Sequence, residues 1–323
     1  MNKKDLKTLY EISENARESK NVLAKRIGIS REVLDYKLKK LKKEKIIKGF
    51  QARINISNFI YGGYILLISS INLTEEQEKK ILKKIQTNGN TQYIGRLGGG
   101  YDFIVGFTIK NISGLSDYVS FINSIFSSNN SKTTFLTMIE EFKDSFKSIF
   151  LETGEKNNLI SMINIQEKLE IDSIDKKILL HLGKDCTIPS WKIAEKCNIS
   201  EVAIRKRIKK LVNKKIILGF RTMVDLTKLG YEPNFLFIKT NSHNKKYEED
   251  LINFFHKNKT ITYATKLIGR QDYVITVLSK STLELNNFIK KLKSKFKETI
   301  ISVESYPLFE MIYHTQLAEG FLI

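Results

Sequence analysis

Apolar residues recur at helical spacing in two distant stretches of the chain. The two stripes consist of Leu34, Leu38 and Leu41 and of Ile204, Ile208 and Leu211. An i, i+4, i+7 stripe of this kind predicts a helix that packs one face against a core. Shorter apolar clusters upstream predict two further helices before each stripe.

A tight break precedes each of these helices, in the strings "GIS" and "NIS". Gly28 and Asn198 suit the left-handed conformation that ends a helix, and Ser30 and Ser200 suit the next N-cap. Two helices joined by such a break predict a helix-turn-helix in each stretch. The following residues turn to β character, and the glycines of their "GF" pairs, Gly49 and Gly219, are predicted to mark the bend into a wing-like hairpin or strand.

The sequence contains an internal repeat that covers most of the chain. The strings "KIIKGF" (residues 45–50) and "KIILGF" (residues 215–220) differ at one position. The constant shift that superimposes them also aligns "LAKRIGIS" with "IAEKCNIS" and "GGYDFIV" with "GRQDYVI", without a gap. We therefore predict a tandem duplication. The expected segments are a winged helix-turn-helix domain at 1–57, a βαββαβ effector and dimerisation domain at 58–151, a linker at 152–170, and a second such pair at 171–227 and 228–317.

The longer part of each copy alternates strands and helices in the order βαββαβ. Thr74 and Gln77 form a capping box that opens one helix, and Ser281 and Glu284 form another in the second copy. This order predicts an α+β fold with a ferredoxin-like, four-stranded antiparallel sheet and both helices on one face. The second copy is expected to cover the bare face. The residues predicted to line that face are Tyr64, Ile94, Phe103 and Phe135.

Positive charge is concentrated in the two predicted helix-turn-helix segments. The chain has a net charge of +19, of which residues 1–57 contribute +9 and residues 171–227 contribute +7. A diffuse excess would carry no information about partners, whereas a focused one indicates a polyanion. We expect that partner to be double-stranded DNA.

Several classes of protein are not expected. No apolar run approaches the roughly 20 residues of a membrane helix, and no secretory signal is recognisable. The two cysteines, Cys186 and Cys197, are too few for a disulfide framework, which favours the cytoplasm. The four histidines all lie in the second copy and form no metal-binding spacing, and no nucleophile elbow or catalytic triad is recognisable. We therefore expect no metal, no cofactor and no enzymatic activity.

Taken together, these motifs resemble the Lrp/AsnC family, the leucine-responsive regulatory proteins. The resemblance rests on the aligned strings, on D-x-x-I-L at residues 175–179, on the K-I-I-x-G-F entry and on a G-x-x-D turn between the middle strands. It covers nearly all of both copies. It implies a transcription regulator with winged helix-turn-helix heads and RAM-type domains that pair sheet to sheet and sense small molecules, often amino acids. The usual member is a single copy that dimerises. The fused halves are therefore expected to self-associate as an intramolecular pseudo-dimer or in a higher oligomer.

The solvent face of the third helix in each copy provides the predicted DNA contacts. Its N-terminal positions suit base edges, and its lysine-rich C-terminal turns suit phosphates. The predicted contacts are Ser30, Arg31, Tyr36, Lys37, Lys39 and Lys40, and Ser200, Arg205, Lys206, Arg207, Lys209 and Lys210. The second helix has net +4 over residues 200–211 against +2 over 30–41, so we expect an asymmetric operator. A simply solvated helix face is the alternative.

The turns between the middle strands are the predicted effector sites. Glycine lets the backbone approach a ligand. An aspartate there either receives an ammonium group or stabilises its own turn, and both alternatives stay open. The second copy has Arg270 and Gln271 in place of Gly100 and Tyr101, so the two pockets are expected to differ. The predicted effector residues are Gly99, Asp102, Gly269 and Asp272.

Two other functions are compatible with the resemblance. A sirohaem decarboxylase-like tetrapyrrole enzyme has the same fold, with two related halves in one assembly. It would need cations and histidines around a cavity of the sheet domains, whereas the cations here are concentrated in the heads and the first copy has no histidine. A ligand-sensing regulator that has lost DNA binding is the other alternative, and the retained basic faces argue against it.

Overall fold

Helices and strands follow one another in the same order in the two halves of the chain. The computed structural model describes residues 2–55, 62–69, 73–109, 111–126, 131–150, 171–241, 245–317 and 320. The first half contains α1 (Lys3–Glu14), α2 (Lys20–Ile27), α3 (Arg31–Lys43), β1 (Ile47–Ile54), β2 (Gly62–Ser69), α4 (Glu75–Thr87), β3 (Thr91–Leu97), β4 (Phe103–Ile109), α5 (Ile112–Phe126) and β5 (Lys132–Asp144). The second half contains α6 (Ser173–Lys184), α7 (Ser190–Cys197), α8 (Glu201–Asn213), β6 (Ile217–Val224), β7 (Glu232–Thr240), α9 (Lys245–Lys257), β8 (Ile261–Gly269), β9 (Tyr273–Ser279), α10 (Thr282–Lys295) and β10 (Ile300–His314).

These elements group into two units. The head unit comprises Met1–Asn58, Phe146–Gly154 and Glu167–Gly230, and the barrel unit comprises Phe59–Ser145, Glu155–Gln166 and Tyr231–Ile323. Within the head unit, α1 to β1 form head 1, and α6 to β6 form head 2. The predicted linker, residues 152–170, lies outside the described residues.

The predicted helix-turn-helix is confirmed in both heads. Helix α2 ends at Gly28, which has φ +78°, and the Ser30 side chain accepts a hydrogen bond from the Val33 N–H at 3.3 Å. Asn198, with φ 54°, and Ser200 have the same roles in head 2. A left-handed residue followed two positions later by an N-cap therefore sets the angle between the second and third helices.

The bend after each third helix occurs at a lysine and not at the predicted glycine. Lys45 and Lys215 have φ values of 57° and 55°, whereas Gly49 and Gly219 lie inside β1 and β6. In both heads the N–H after this lysine donates to the carbonyl oxygen five residues earlier, at 2.9 Å. The glycine prediction was wrong because this helix-ending hydrogen bond, a Schellman pattern, fixes the bend before the strand begins.

The two heads share one antiparallel ladder. Strand β1 pairs with β6 over its length, and neither strand forms a hairpin within its own head in the described part of the chain. The register places Gln51 opposite Arg221, two residues that occupy the same position in the two copies, so a pseudo-twofold axis passes between them. The Asn55 N–H closes one end of the ladder by donating to the carbonyl oxygen of Ile216 at 2.9 Å, and the equivalent bond closes the other end at 2.8 Å. The heads therefore pair within one chain.

Eight strands of the barrel unit close into a single barrel in the order β10-β3-β4-β2-β5-β8-β9-β7. Each half keeps the strand order of a ferredoxin-like sheet, β3-β4-β2-β5 and β8-β9-β7-β10. The two sheets join edge to edge through the antiparallel pairs β5–β8 and β10–β3. The expectation of two domains that pair sheet to sheet is corrected by this closure, which satisfies the hydrogen bonds of all four edge strands.

The barrel interior is filled by side chains from both halves, such as Ile65, Leu67, Phe235 and Phe237. Helices α9 and α10 pack on the outside of the second-half strands, and α4 and α5 pack on the first-half strands.

Strand faces were assigned wrongly in the first half. The four residues predicted to line the bare face pack against α4 and α5 on the outside of the barrel: Tyr64, Ile94, Phe103 and Phe135. Strand β4 is buried at every position, and β2 has four consecutive buried residues. Alternation of apolar and polar residues therefore could not distinguish the two faces.

Candidate nucleic-acid interface

The third helix of each head has one buried side and one polar, exposed side. Leu34 and Leu41 of α3, and Ile204 and Leu211 of α8, pack into the cores of the heads. The opposite side presents most of the predicted contacts to solvent. The exposed ones are Ser30, Arg31, Tyr36, Lys39 and Lys40, and Ser200, Arg205, Lys206, Lys209 and Lys210.

The remaining two predicted contacts, Lys37 and Arg207, bind the third helix to the first helix. The Lys37 ammonium pairs with Asp5, and these side chains are 14% and 18% exposed. The Arg207 guanidinium donates to Asp172 at 2.7 Å and to Asp175 at 2.9 Å. Lys37 and Arg207 are equivalent positions, as are Asp5 and Asp175, so the same bridge occurs in both heads. These cations stabilise the heads and leave less of their charge to a nucleic acid.

The bridges shift the pKa values of their members. Burial raises the pKa of Asp5, but hydrogen bonds from Lys37 and from the Asn2 backbone outweigh it and hold the pKa below its usual range. The backbone N–H of Asp175, followed by Arg207, lowers the pKa of Asp172. The pKa of Arg207 is raised because hydrogen bonds to both carboxylates stabilise its charged form.

On the exposed side of its third helix, each head has an ion pair at the same two positions, but the acid and the base are exchanged between the heads. In head 1, Arg31 Nε lies 3.9 Å from Asp35 Oδ2, and Asp35 also pairs with Lys20 of α2. The equivalents of Arg31 and Asp35 in head 2 are Glu201 and Arg205, whose closest nitrogen and oxygen are 2.6 Å apart. One acid therefore offsets two cations in head 1, whereas in head 2 one acid offsets one cation.

Unpaired lysines lie at different positions on the two helices. Lys206, Lys209 and Lys210 take part in no ion pair within the described residues. In α3, Lys39 is in the same state, but Lys40 Nζ lies 3.9 Å from a Glu44 carboxylate oxygen. Residues 200–210 of head 2 thus have more unpaired positive charge than residues 30–40 of head 1, whereas Lys42 and Lys43 add exposed charge at the end of α3.

Hydrogen bonds on either side of the ladder link the heads symmetrically. The Ala16 N–H donates to the Phe220 carbonyl oxygen at 2.7 Å, and the Cys186 N–H donates to the Phe50 carbonyl oxygen at 2.9 Å. Both the donors and the acceptors of these two bonds occupy equivalent positions in the two copies. They place the first helix of each head against the strand of the other.

Arg17 adds a link that is made only once. Its guanidinium donates to the carbonyl oxygens of Cys186 at 2.5 Å and Ile188 at 2.8 Å, and to the Ser190 hydroxyl at 3.1 Å. Thr187 occupies the equivalent position in head 2 and cannot form such a bridge. The pseudo-twofold relation is therefore broken at this contact.

Sequence reasoning missed Arg17, Asp5, Asp175 and the exposed apolar residues of the third helices. A signal existed for the aspartates, because an acid and a base 32 positions apart occur at matching places in both copies. No such signal existed for Arg17, since its contact is not repeated and its acceptors are mostly backbone oxygens.

The predicted effector turns are held mainly by their own contacts. The Asp272 carboxylate accepts from Lys239 Nζ at 2.8 Å and from the Thr240 N–H at 2.7 Å. Burial raises the pKa of Asp272, but these hydrogen bonds outweigh it and keep the pKa low. In the other turn, the Asp102 N–H donates to the Ile68 carbonyl oxygen at 2.8 Å. Asp272 therefore fastens its turn to strand β7.

Glycine is required in these turns by space and by backbone conformation. Gly99 has φ +99°, and Gly269 has φ +143°. A Cβ atom on Gly269 would lie 2.8 Å from a methyl carbon of Leu136, which is closer than such contacts allow. The turn of the second copy therefore packs directly on strand β5.

A polar cluster beside the turns differs between the copies. Gln271 Nε2 donates to Glu304 Oε1 at 2.8 Å, and Arg270 donates to the same oxygen at 3.2 Å. The Tyr306 hydroxyl donates to the other Glu304 oxygen at 2.7 Å, and its ring meets Tyr101 edge-on at 5.3 Å. The two turns are thus joined through one chain of contacts in the barrel unit.

Metal and thiol chemistry find little support in the described part of the chain. There, no three histidine, cysteine, aspartate or glutamate side chains are grouped so that they could hold a metal ion. Burial raises the pKa of the Cys186 thiol to about 12, so this thiol stays protonated and unreactive. No helix among the described residues is long and apolar enough to cross a membrane.

Both heads match known DNA-binding domains in sequence. The profile of the AsnC-type helix-turn-helix domain matches residues 171–212, and a winged helix-turn-helix DNA-binding profile matches residues 1–48. An HTH-type transcriptional regulator of Pyrococcus furiosus is 32% identical over 126 residues, which are 39% of this chain and 84% of that protein. The regulator LrpB of Bacillus subtilis is 31% identical over 125 residues, 38% of this chain and 82% of that protein. The DNA-binding transcriptional activator DecR of Escherichia coli is 25% identical over 148 residues, 46% of this chain and 97% of that protein.

The fold of the whole chain is similar to that of a solved enzyme. The crystal structure of the sirohaem decarboxylase NirDL has a TM-score of 0.66 and covers 99% of this chain and 96% of its own, at 11% identity. A second structure of NirDL, in complex with an iron-uroporphyrin III analogue, has a TM-score of 0.64. The expectation that the chain is not an enzyme is contradicted by this finding, because the protein that matches it throughout is an enzyme. At 11% identity, the likeness shows a common fold.

Proposed function

Because the chain belongs to the Lrp/AsnC family of DNA-binding transcription regulators, we propose that one chain binds double-stranded DNA as a complete two-headed unit. In this proposal the segments 1–57 and 171–227 arose by tandem duplication and correspond to the two heads of a family dimer. The segments 58–151 and 228–317 correspond to its two effector domains. The ladder centred on Gln51 and Arg221 carries the proposal, since it pairs two heads within one chain.

We propose further that the operator is asymmetric. A symmetric dimer matches a palindrome because both half-sites meet the same side chains. Here Lys206, Lys209 and Lys210 give residues 200–210 of head 2 more unpaired charge than the equivalent residues 30–40 of head 1 have. The proposed direct contacts are Ser30, Arg31, Tyr36, Lys39 and Lys40, and Ser200, Arg205, Lys206, Lys209 and Lys210. Lys37 and Arg207 act indirectly, by holding the third helices in place.

Genomic binding-site mapping followed by titration of one mapped duplex tests this function. We expect one chain per duplex in analytical ultracentrifugation, and an affinity that falls steeply as salt rises in fluorescence anisotropy. Two chains per duplex, or an affinity insensitive to salt, would contradict the proposal. Footprints with two identical half-sites of equal importance would contradict the asymmetry alone.

We propose that the barrel unit senses a small molecule with both a positive and a negative group, such as an amino acid. The carboxylate of Glu304 and the guanidinium of Arg270 lie together beside Gln271 and support such a ligand. Asp272 supports its turn through Lys239 and Thr240. The turn residues of this proposed site are Gly99, Asp102, Gly269 and Asp272.

Thermal unfolding of the full chain with a panel of amino acids tests effector binding. A bound ligand raises Tm by mass action, and we expect the increase to be lost in Glu304→Gln. The matched control is Glu298→Gln, which removes the same charge from a side chain that is 72% exposed. If no amino acid raises the Tm, or if the control loses the response equally, this proposal fails.

The whole-fold likeness to NirDL supports a second candidate, a tetrapyrrole enzyme. The described residues fit a tetrapyrrole poorly, because apolar side chains such as Phe235 and Phe237 fill the barrel interior. Titration with sirohaem, followed by ultraviolet-visible absorption, separates the candidates. A saturable spectral shift would favour the enzyme, and an unchanged spectrum would favour the regulator.

A further inference from the structure

Large apolar or aromatic side chains are exposed on the first turns of both third helices. Val33 is 43% exposed and Tyr36 is 68% exposed on α3, and Val202 is 63% exposed on α8. The neighbouring lysines bind phosphates without any need for apolar groups. Apolar groups left in water also add nothing to the stability of the heads. Their exposure therefore points to an apolar feature on the partner, and in the major groove that feature is the thymine methyl group.

Equivalent positions on the two helices differ in chemistry. Glu32 of head 1 is replaced by Val202 in head 2, and Tyr36 is replaced by Lys206. These positions are four residues apart, so on each helix they lie on one face, one turn from each other. The carboxylate of Glu32 hydrogen-bonds within its own helix start, to its own N–H and to Ser30, and these bonds lower its pKa. It remains a charged acceptor on the exposed surface.

Neighbouring charged residues on the same helix faces form ion pairs within their own head. Asp35 pairs with Lys20 and Arg31 in head 1, and Arg205 pairs with Glu201 in head 2. Two exposed positions outside these pairs change chemical type between the heads, from a carboxylate and a phenol in head 1 to an isopropyl and an ammonium group in head 2. Val33 and its equivalent Ala203 are both apolar, so they do not distinguish the two half-sites.

We infer that Val202 and Lys206 make head 2 specific for a thymine next to a guanine, whereas Glu32 makes head 1 specific for a cytosine. A valine contacts the thymine methyl group, a lysine donates to guanine O6 and N7, and a glutamate accepts from the cytosine amino group. The ring of Tyr36 packs on the neighbouring base in head 1. This inference rests on the proposed DNA-binding function and adds the identity of the bases.

Selection from a randomised duplex library with the full chain tests the inference. We expect the wild type to enrich sites with two unlike halves. The double variant Glu32→Val/Tyr36→Lys should enrich sites in which both halves contain the thymine–guanine step. The reciprocal variant Val202→Glu/Lys206→Tyr should enrich two cytosine-containing halves. All four positions are exposed, so both variants should keep the far-ultraviolet circular dichroism and Tm of the wild type.

A chemical substitution in the DNA tests the role of Val202 without the variants that exchange residues between the heads. Replacing the contacted thymine by deoxyuridine removes only the methyl group, and we expect wild-type affinity to fall roughly 3- to 5-fold. In Val202→Ser, affinity should be the same for both duplexes. The matched control is Ile301→Ser, an exposed apolar residue of the barrel unit, which should retain the wild-type difference.

The possible outcomes distinguish a failure of the base assignment from a failure of the proposed DNA-binding function. Salt-dependent binding with no enriched sequence, or with two identical halves in the wild type, overturns the base assignment and leaves DNA binding intact. Equal affinity of the wild type for the thymine and deoxyuridine duplexes overturns the role of Val202. Failure to bind any duplex overturns both this inference and the proposed function.

Discussion

Head 1 and head 2 are alike inside and different outside. Both bind the third helix to the first through an acid–base bridge at equivalent positions, Asp5 with Lys37 and Asp175 with Arg207. On the exposed side, the Arg31–Asp35 pair of one head is reversed to Glu201–Arg205 in the other. Contacts that hold the helix-turn-helix together are thus the same in both heads, while those on the exposed side differ. This difference is expected if the two heads bind unlike DNA.

The largest expected effect concerns the three unpaired lysines of α8. Replacing Lys206, Lys209 and Lys210 by glutamine should reduce the slope of log affinity against log salt by roughly 2, for the two phosphate contacts Lys209 and Lys210, and weaken DNA binding on the order of 100-fold at about 0.1 M salt. Fluorescence anisotropy over a salt series measures both quantities. The matched control replaces three exposed lysines of α10 by glutamine, namely Lys290, Lys291 and Lys293. An equal loss in the control would mean that the charge of head 2 has no special role.

The acid–base bridges should differ in strength between the heads. Asp175 is 4% exposed, so Arg207→Met leaves a buried carboxylate without its partner and should cost about 3 kcal/mol of unfolding free energy. Asp5 is 18% exposed, and Lys37→Met should cost about 1–2 kcal/mol, because water partly replaces the ammonium group. Chemical denaturation measures both values, with Lys209→Met as the control. A larger loss of unfolding free energy in Lys37→Met than in Arg207→Met would contradict the expectation that the bridge of head 2 is the stronger one.

Arg17 provides a smaller effect that breaks the symmetry of the head unit. Arg17→Met removes three hydrogen bonds to head 2 and should cost about 1–2 kcal/mol, less than the buried bridge of head 2. Hydrogen exchange should show the greatest loss of protection at the Ala16 and Cys186 amides, which link the heads beside Arg17. Arg26→Met is the control, since Arg26 pairs with Glu18 inside head 1. Equal loss of protection in both variants would argue against a link between the heads.

The smallest effect is the dependence of head stability on pH. The pKa of Asp5 is lower in the folded protein than its ordinary value of 3.8, so its carboxylate stabilises the fold above that value. The stabilisation is lost as pH falls through the folded-state pKa. The unfolding free energies of the wild type and Asp5→Asn should therefore differ at pH 6, and the difference should shrink as pH falls below about 3.8 and through the folded-state pKa. Urea denaturation across this range measures the difference, and a gap that widens at low pH would contradict it.

Local structure was largely predictable from the sequence, because it depends on neighbouring residues. Gly28 and Ser30, and their counterparts Asn198 and Ser200, predicted the breaks between helices, and the capping box of Thr74 and Gln77 forms. At Ser281 only the serine bond forms, because the Glu284 carboxylate accepts from the Lys280 N–H instead. The register of the repeat was also visible, since the aligned strings of the two copies keep a constant offset without gaps. The two bends were misplaced because a lysine at a helix end adopts the left-handed conformation when its neighbours complete the hydrogen bonds.

Long-range pairing was not predictable in the same way. Nothing in the residues of β5 and β8 states that they pair, and an open sheet and a closed barrel share the same βαββαβ pattern. The sequence also did not show which basic side chains are paired with an acid and which are free to bind a partner. Lys37 and Lys39 are both basic residues of α3, but Lys37 pairs with Asp5, which is 32 positions away in the chain. Side-chain partners of this kind appear only when the packing of the helices is known.

The centre of the β1–β6 ladder has a consequence for how such a chain diverges. Two copies of one gene product related by a true twofold axis would put each axial residue against itself. A buried arginine there would meet a second arginine, and the repulsion would be costly. Here Arg221, which is 7% exposed, faces Gln51 instead. Because the two strands belong to one chain, these two positions can carry different side chains, which a true twofold axis would forbid.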